Sequence, residues 1–566
     1  MNIQQKIVVI GGSAAGPKTA ARARRLSEES EVTILEKGPD LSMASCGYPY
    51  YVGGVFDERK MLLCTPTGVV RDPSFFMNAK GINALTSCEV ISIDTENKQV
   101  HYRNNKTDEV SSVSYDKLLI STGSTPRIPP VQGTDLDGIT TLQSIKDADY
   151  LKKIKDDNRV KKAVVIGGGL IGIETAEALE LAGIEITIVE LMDQILPFLD
   201  WEIAKLVENH LKSKGVNVYT ETGLDRFIGE NGKLTAVKLK SGTEIPCELA
   251  VIATGVKPES GLAKNAGISI GEFGGIIVDE YMETSVKDIY AAGDCVEIKH
   301  RITETQSYSP MGDLANLQGR IAATNMVKGN VEKYSGTIQT GICKIFDFAA
   351  GSTGLNERCA EKSGFEYETV VNASPDKPGF MSGKLLVSKM IVEKSTGRLI
   401  GYQCAGPGDV SKQLAQAAIA IRGNLTVCDL KDLDLPYAPP FSLAIDHFIA
   451  SSHIMENKLK GMLRGITARR LREMKCKNIG NPFILDARGP DEYETMRLGI
   501  GEVLIPLGQL RKRLIELPED KNREIICFCK ISLRGYEAAL ILQSAGYTNV
   551  KVLEGGIMAW PFEREK

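Results

Sequence analysis

The feature that most limits what this chain can fold into is a device that occurs twice. Ile7-Val8-Val9-Ile10 runs into GGSAAG (Gly11 to Gly16), and Ala163-Val164-Val165-Ile166 runs into GGGLIG (Gly167 to Gly172). Each copy reads as a short buried strand, a Gly-rich turn and a helix start. Turns of this kind let the backbone pass close to a pyrophosphate, which then rests on the first amides and the positive dipole end of the following helix. Pro17 suits the first helical turn, where a missing N–H costs nothing. A second strand follows each copy and closes on an acid, VTILE at Glu36 and ITIVE at Glu190, placed to accept hydrogen bonds from ribose hydroxyls. One such turn is a weak signal, whereas two with matching strand, helix and acid predict two dinucleotide sites.

A further internal echo supports duplication. LLISTGSTP (Leu118 to Pro126) and LAVIATGVKP (Leu249 to Pro258) both read as a buried strand entering a Gly turn. Glu190 would repel a 2'-phosphate, and Leu191 and Met192 offer no compensating cation, so NADH is favoured over NADPH.

At 566 residues the chain has room for three or four domains of roughly 150 residues each. A hydrophobic share of 43% with 25% charged residues is ordinary for globular domains, and 55 glycines suit many tight strand-to-helix turns. The formal net charge of -4 gives no basic field for nucleic acid. No apolar run approaches the roughly 20 residues that cross a bilayer, and the N-terminus enters a strand without a signal-peptide layout, so a cytoplasmic, membrane-free protein is expected. The 12 cysteines are scattered, and most are expected to be reduced thiols, with a few of them reactive. Neither they nor the 5 histidines show metal-ligand spacing, and no metal site is expected.

These features resemble the two-dinucleotide-binding flavoprotein reductases, whose FAD domain is interrupted by an NAD domain. IYAAGDCVE (Ile289 to Glu297) is similar to that family's second FAD motif, which implies that Gly293 and Asp294 meet the ribityl or phosphate portion of FAD. The resemblance assigns Gly11, Gly12, Ser13, Ala14, Ala15, Gly16, Glu36, Lys37, Thr122 and Gly123 to FAD, and Gly167, Gly169, Gly172, Glu190 and Gly255 to NAD. It also makes the STG and ATG turns the crossings between domains.

Within that superfamily the chain resembles coenzyme A disulfide reductases and NADH-dependent persulfide reductases with a C-terminal rhodanese domain. GTIQTGICKIFDF (Gly336 to Phe348) and LPYAPPF (Leu435 to Phe441) resemble the dimerisation domain, and the likeness covers nearly the whole chain. The implied fold is α/β: two Rossmann-like dinucleotide-binding domains, an α+β dimerisation domain and a C-terminal α/β rhodanese domain. Expected limits are 1-115 and 246-327 for the FAD domain, 116-245 for the NAD domain, 328-454 for dimerisation, 455-473 for a linker and 474-566 for rhodanese. A homodimer acting on a small-molecule thiol persulfide or disulfide is implied.

Cys46 lies in SMASCGYPYYVGG (Ser42 to Gly54), and the next cysteine is Cys64. A single thiol can cycle through a mixed disulfide, a persulfide or a sulfenic acid. The resemblance places it over the flavin, with its thiolate stabilised by a helix dipole or a charge. Gly47 and Pro49 repeat the family's pattern there, while Met43, Ser45 and Tyr48 depart from it. Arg22 and Arg25 on the first helix can meet acidic groups of a ligand or form a solvated face. With Ser42 and Ser45 they are the candidate substrate contacts, and coenzyme A is the candidate thiol. Tyr437 matches a tyrosine that in relatives reaches the partner subunit's active site and can protonate a leaving sulfur.

A basic, helix-prone stretch, Asn457 to Lys477, reads as a connector. Beyond it, FILDARGPDEY (Phe483 to Tyr493) resembles the opening of a rhodanese, in which the acid and Arg488 brace the fold. IICFCKISLRG (Ile525 to Gly535) delivers Cys529 to a loop ending at Arg534. In rhodaneses a loop of this length cups a persulfide with successive backbone N–H groups, and the Arg adds positive charge. Cys527 reads as a core thiol or a resolving one. The resulting expectation is that NADH reduces FAD, which reduces sulfur captured on Cys46, while Cys529 carries sulfane sulfur. Two alternatives stand beside it: an NADH oxidase or peroxidase using a Cys46 sulfenic acid, and a redox-sensing or sulfur-delivery protein with little turnover.

Overall fold

The computed structural model describes residues 4–157 and 159–565. The chain divides into two compact units, one formed by residues up to Leu191 with Thr222–Thr337, the other by Met192–Glu221 with the chain from Ile338 onward. Among the described residues no helix is long and apolar enough to cross a membrane.

In the first unit two parallel arrangements repeat one another. One sheet runs Ile289–Ala291, Lys117–Ile120, Lys6–Ile10, Glu31–Glu36, Asn83–Thr86; in the other, Glu185–Val189, Lys162–Ile166, Leu249–Ile252 and Ile139–Thr140 are neighbours in that order. The central strands Lys6–Ile10 and Lys162–Ile166 bury every residue after the first, as a parallel sheet covered on both faces requires. Helices Ala15–Leu26 and Gly312–Lys328 pack closely because Gly319 has no side chain: a Cβ there would lie 2.6 Å from the carbonyl oxygen of Ala15.

The pairings move two expected boundaries. Lys117–Ile120, expected in the NAD domain, lies in register with Ile7–Ile10 of the first sheet, and Leu249–Ile252, expected in the FAD domain, lies in register with Ala163–Ile166 of the second. The crossings therefore fall at the STG and ATG turns, where Ser124–Pro126 and Val256–Pro258 pair antiparallel. A strand belongs where its ladder partners are, and a uniformly apolar run does not name its partners.

The second unit holds two sheets. An antiparallel one runs Gly341–Ile345, Phe348–Gly354, Leu399–Gly406, Leu385–Glu393, Tyr367–Pro375, with helices Val410–Arg422 and His447–Leu459 against it. The other is parallel, in the order Gly465–Ile466, Val550–Leu553, Ile525–Phe528, Phe483–Asp486, Val503–Leu504. Its edge strand Gly465–Ile466 lies inside the stretch expected as a linker, and helix Ala468–Cys476 buries Leu471 and Met474 in the same core. Only the few residues after Leu459 are left as connector, since a two-residue strand is too short to show a period.

Polar groups are enclosed beside the antiparallel sheet. His447 Nδ1 lies 2.6 Å from the Ser374 hydroxyl and Nε2 2.7 Å from the Ser388 hydroxyl. Burial drives the imidazole down from 6.5 to about 4. The folded protein thus keeps His447 neutral where the unfolded chain takes up a proton. Its contribution is complete above about pH 6.5 and is lost as pH falls towards 4, at about 1.4 kcal/mol per pH unit. Urea midpoints measured between pH 7 and 4.5 should fall less steeply in His447→Gln than in the parent; equal slopes would refute the assignment.

Candidate functional site

The two Gly-rich turns share one geometry. Gly11 (φ +99°) and Gly167 (φ +110°) adopt left-handed backbone, and their amides donate to Leu35 O (2.9 Å) and Val189 O (2.8 Å). A Cβ on Gly16 would lie 1.9 Å from Gly11 O, and one on Gly172 2.0 Å from Gly167 O, so only glycine lets each helix begin this close to its strand. Neither Ala14 nor Gly169 caps its helix with a side chain, which leaves first-turn amides for an anion. Glu36 accepts from the amides of Gly12 (2.6 Å) and Gly38 (2.6 Å), and buried Glu190 accepts from Gly168 (2.7 Å). Each carboxylate is thereby fixed at the mouth of its turn with lone pairs left for ribose hydroxyls. Ser13 and Lys37 are exposed.

Near the first cradle, Gly293 (φ +90°) donates its amide to Gln318 Oε1 (2.7 Å), and Asp294 receives the Ser124 hydroxyl at 3.3 Å. Burial raises the Asp294 carboxyl above its usual range. A desolvated carboxylate with one weak donor suits a polyhydroxyl chain, so the first cradle fits FAD and the second fits NAD. Thr122 Oγ1 donates to Glu259 O, while Gly123 and Gly255 (φ +75° and +93°) have open space where a Cβ would stand.

Cys46 occupies a single 3-10 turn, Ser45–Gly47, that leads into helix Tyr48–Gly53, and the residue is exposed. Its Sγ lies against the start of helix Gly312–Lys328, 3.6 Å from where a Gly312 Cβ would stand. Although the residue is open on one side, desolvation on the other raises the thiol pKa, and the charges of Glu174, Asp294 and Asp313 raise it further. Two effects therefore oppose one another at this sulfur: burial and the nearby acids disfavour the thiolate, while the start of helix Gly312–Lys328 beside it favours a negative charge. Glu174 also accepts a hydrogen bond from the Tyr50 hydroxyl at 3.2 Å. Glu174→Gln should lower the Cys46 pKa and speed alkylation by iodoacetamide at pH 7 about two- to threefold. A slower or unchanged rate would show that this carboxylate does not bear on the thiol.

The remaining candidates are placed less uniformly. Ser45 adjoins Cys46, whereas Ser42 (φ +51°) is buried and its amide donates to Gly12 O at 2.7 Å, tying the loop to the first cradle. Arg22 Nε donates to Thr324 Oγ1 at 3.5 Å, and Arg25 is exposed. Tyr437, in the second unit, is 56% exposed on the segment between helices Val427–Leu430 and His447–Leu459. Sequence reasoning missed Glu174, Gly312 and Asp313; the only local sign was an acid four residues into the helix start after the second Gly turn.

In the second unit, strand Ile525–Phe528 delivers Cys529, which is 1% exposed, to a loop that closes at helix Leu533–Ser544. The loop is held from behind: Ile557 N donates to Cys529 O (3.0 Å), Met558 N to Lys530 O (3.1 Å) and Ser532 Oγ to Leu553 O (2.9 Å). Ser532 takes φ +86°, a conformation that glycine adopts without strain. Arg534 makes a two-pronged bond to Glu492 (2.6 and 2.8 Å), which holds that carboxyl down to about 2, and its charge faces Cys529. Behind the loop, buried Arg488 bonds Asp486 (2.6 Å) and the carbonyls of Glu492 (3.1 Å) and Met496 (2.7 Å). Cys527 is fully buried and desolvation drives its thiol pKa up, as in a core thiol.

Comparison with known proteins covers both units. Residues 5–312 match the family model described as pyridine nucleotide-disulphide oxidoreductase, 340–448 the dimerisation domain of that family and 467–562 the rhodanese-like domain. An NAD(P)H coenzyme A polysulfide/persulfide reductase of Pyrococcus horikoshii is 33% identical over 457 residues, 80% of this chain and 99% of the relative. An NADH oxidase of Methanocaldococcus jannaschii is 32% identical over 443 residues, 77% of this chain and 96% of the relative. Among solved structures, an NAD-dependent persulfide reductase from A. fulgidus is similar at a TM-score of 0.93 and 41% identity, covering 98% of this chain and 100% of that one.

Proposed function

Because the chain belongs to the pyridine nucleotide-disulphide oxidoreductase family, and so is a flavin-dependent NAD(P)H oxidoreductase, we propose that it reduces persulfide or disulfide sulfur at Cys46 with electrons from NADH. Its rhodanese-like domain carries sulfane sulfur on Cys529. The observation that carries this reading is the presence, in one chain, of an exposed cysteine set among the FAD-type residues and a second cysteine in a loop faced by a guanidinium. The M. jannaschii relative favours the oxidase alternative, while the rhodanese-like domain has no evident use in it.

In the proposed cycle Cys46 loses its proton and attacks one sulfur of the substrate's S–S bond. That bond breaks, a new S–S bond forms to Cys46, and the departing sulfur leaves as a thiol or hydrosulfide after taking a proton. An electron pair then cleaves the new bond and frees the thiol. A flavin in the first cradle would relay that pair from a nicotinamide in the second. Glu36 and Glu190 would hold the riboses, and Tyr437 of a homodimer partner would protonate the leaving sulfur. Coenzyme A is the proposed carrier thiol, and Cys529 would pass its outer sulfur to such a thiol for delivery to Cys46.

The test is anaerobic NADH oxidation by the FAD-loaded protein with coenzyme A persulfide, coenzyme A disulfide, glutathione persulfide and polysulfide. Sulfide release from the persulfides supports the reading, and the rank order identifies the thiol. NADH consumption only when oxygen is admitted would replace it with the oxidase.

A further inference from the structure

Within the second unit a short segment, Glu554 to Met558, joins the Cys529 loop to the antiparallel sheet. At its far end Ile557 and Met558 hold the carbonyls of Cys529 and Lys530, and the Ser532 hydroxyl bonds Leu553 O just before Glu554. A Cβ on Gly556 would lie 2.5 Å from Cys529 O and 2.7 Å from Lys530 O, so only glycine lets the segment run this close behind the loop.

The near end is Glu554, 5% exposed. One of its carboxylate oxygens accepts the backbone N–H of Val371 at 3.0 Å, and the other accepts from Lys458 Nζ at 2.6 Å. Val371 lies on Tyr367–Pro375, the edge strand of the antiparallel sheet, where an outward amide has no ladder partner. Lys458, on helix His447–Leu459, also donates to Thr369 O at 2.6 Å and pairs with Glu368 at 3.0 Å. Burial lowers the Lys458 pKa, but Glu554 and Glu368 outweigh it and leave the lysine charged. Room for the Glu554 carboxylate comes from Gly465: a Cβ there would lie 1.8 Å from Glu554 Oε1.

A buried ion pair adds little net stability over an apolar contact of similar size, whereas its directed hydrogen bonds fix geometry. Glu554 brings such bonds to the point where the parallel sheet meets the antiparallel one, immediately before the amides that grip the Cys529 loop. The element whose geometry it fixes is therefore that loop.

We propose that Glu554 is a positioning residue for sulfur transfer at Cys529: anchored to Val371 and Lys458, it holds the segment that backs the loop and so keeps the loop's N–H groups aimed at the incoming sulfur. This rests on the reading of Cys529 as the carrier of sulfane sulfur. Glu554 touches neither the sulfur nor its donor and acts only through the loop.

Loading of Cys529 is measured in the FAD-loaded, full-length protein by rapid mixing with thiosulfate, quenching with an alkylating agent and mass spectrometry of the Cys529 peptide. In that step the Cys529 thiolate attacks the outer sulfur of thiosulfate, the S–S bond breaks and sulfite leaves with the electron pair. Glu554→Ala should slow the second-order rate constant about tenfold, the scale of one charge-assisted hydrogen bond, and Glu554→Gln, which keeps an acceptor for Val371 N, should recover to within about threefold of the parent. Gly465→Ala leaves Glu554 in the chain but displaces its carboxylate. It should slow loading to a similar degree, and it covers the case in which Glu554→Ala fails to fold. A role confined to stability would lower the fraction of chains that load and leave the rate constant unchanged. Parent-like rate constants in Glu554→Ala and Gly465→Ala, or a loss confined to the loaded fraction, would overturn the proposal while leaving Cys529 its role. A parent that loads no sulfur at Cys529 would instead remove the reading beneath it.

Discussion

Replacing Cys46 with Ser is expected to abolish NADH-driven sulfide release from persulfides, by about a thousandfold or more, while leaving FAD content and NADH-driven reduction of ferricyanide near the parent level. A serine hydroxyl neither attacks an S–S bond at neutral pH nor accepts the sulfur, so the covalent step has no substitute path. Ferricyanide takes electrons without that step, so its reduction separates loss of the sulfur chemistry from loss of the cradles. The other thiols of the first unit offer no replacement: Cys64, next along the chain, is half-buried with its Sγ donating to Lys60 O at 3.2 Å, and Cys88, Cys247 and Cys295 are buried. Cys529→Ala should keep turnover of coenzyme A persulfide and lose only the contribution of a sulfane donor such as thiosulfate. A Cys46→Ser protein retaining a tenth of the parent's sulfide release would remove Cys46 from the proposed role. The same activity lost with ferricyanide reduction would mean that the cradle had been damaged.

What the sequence made legible were places where backbone geometry leaves no choice of residue. The two Gly-rich turns could be read because only glycine tolerates the 1.9 and 2.0 Å approaches at Gly16 and Gly172, and the acids at Glu36 and Glu190 followed from strand length. Cys46 and the Cys529 loop were legible from local pattern and resemblance. The crossings near residues 121 and 253 were marked by their turns, yet the domain limits were misplaced because Lys117–Ile120 and Leu249–Ile252 are both plain apolar runs whose partners lie more than 80 residues away. Electrostatics was the least legible part. Besides burial, Glu174 and Asp313 raise the Cys46 thiol pKa from segments far along the chain, and the helix start at Gly312 that opposes them is equally distant in sequence. Ser532 shows the converse, a left-handed position filled by a residue whose hydroxyl secures the loop to Leu553.

Lys389 carries the same lesson into stability. In strand LLVSKMIVE the lysine stands among apolar residues with its side chain 0% exposed. Three acids from distant segments make that tolerable: Asp200 at 3.4 Å, Glu202 at 3.2 Å and Glu357, which is closer still. Burial already raises the Asp200 and Glu357 carboxyls, opposed chiefly by the Lys389 charge. Lys389→Met keeps the volume but leaves the three carboxylates facing one another in a desolvated space, and it should cost about 3–5 kcal/mol. The sign of its pH dependence follows from linkage. Without the lysine the Asp200 and Glu357 carboxyls are raised further above those of the unfolded chain, so the variant should be nearest the parent below about pH 4.5 and lose ground as pH rises through the raised values. Adding Glu202→Gln and Glu357→Gln should recover much of the loss at pH 8, because two of the uncompensated charges are gone. Urea unfolding followed by far-UV circular dichroism at pH 5 and pH 8 decides the matter: a Lys389→Met protein within about 1 kcal/mol of the parent at pH 8 would mean that the acids relax into water and that this buried cluster is not what holds the sheet to the helix Trp201–Ser213.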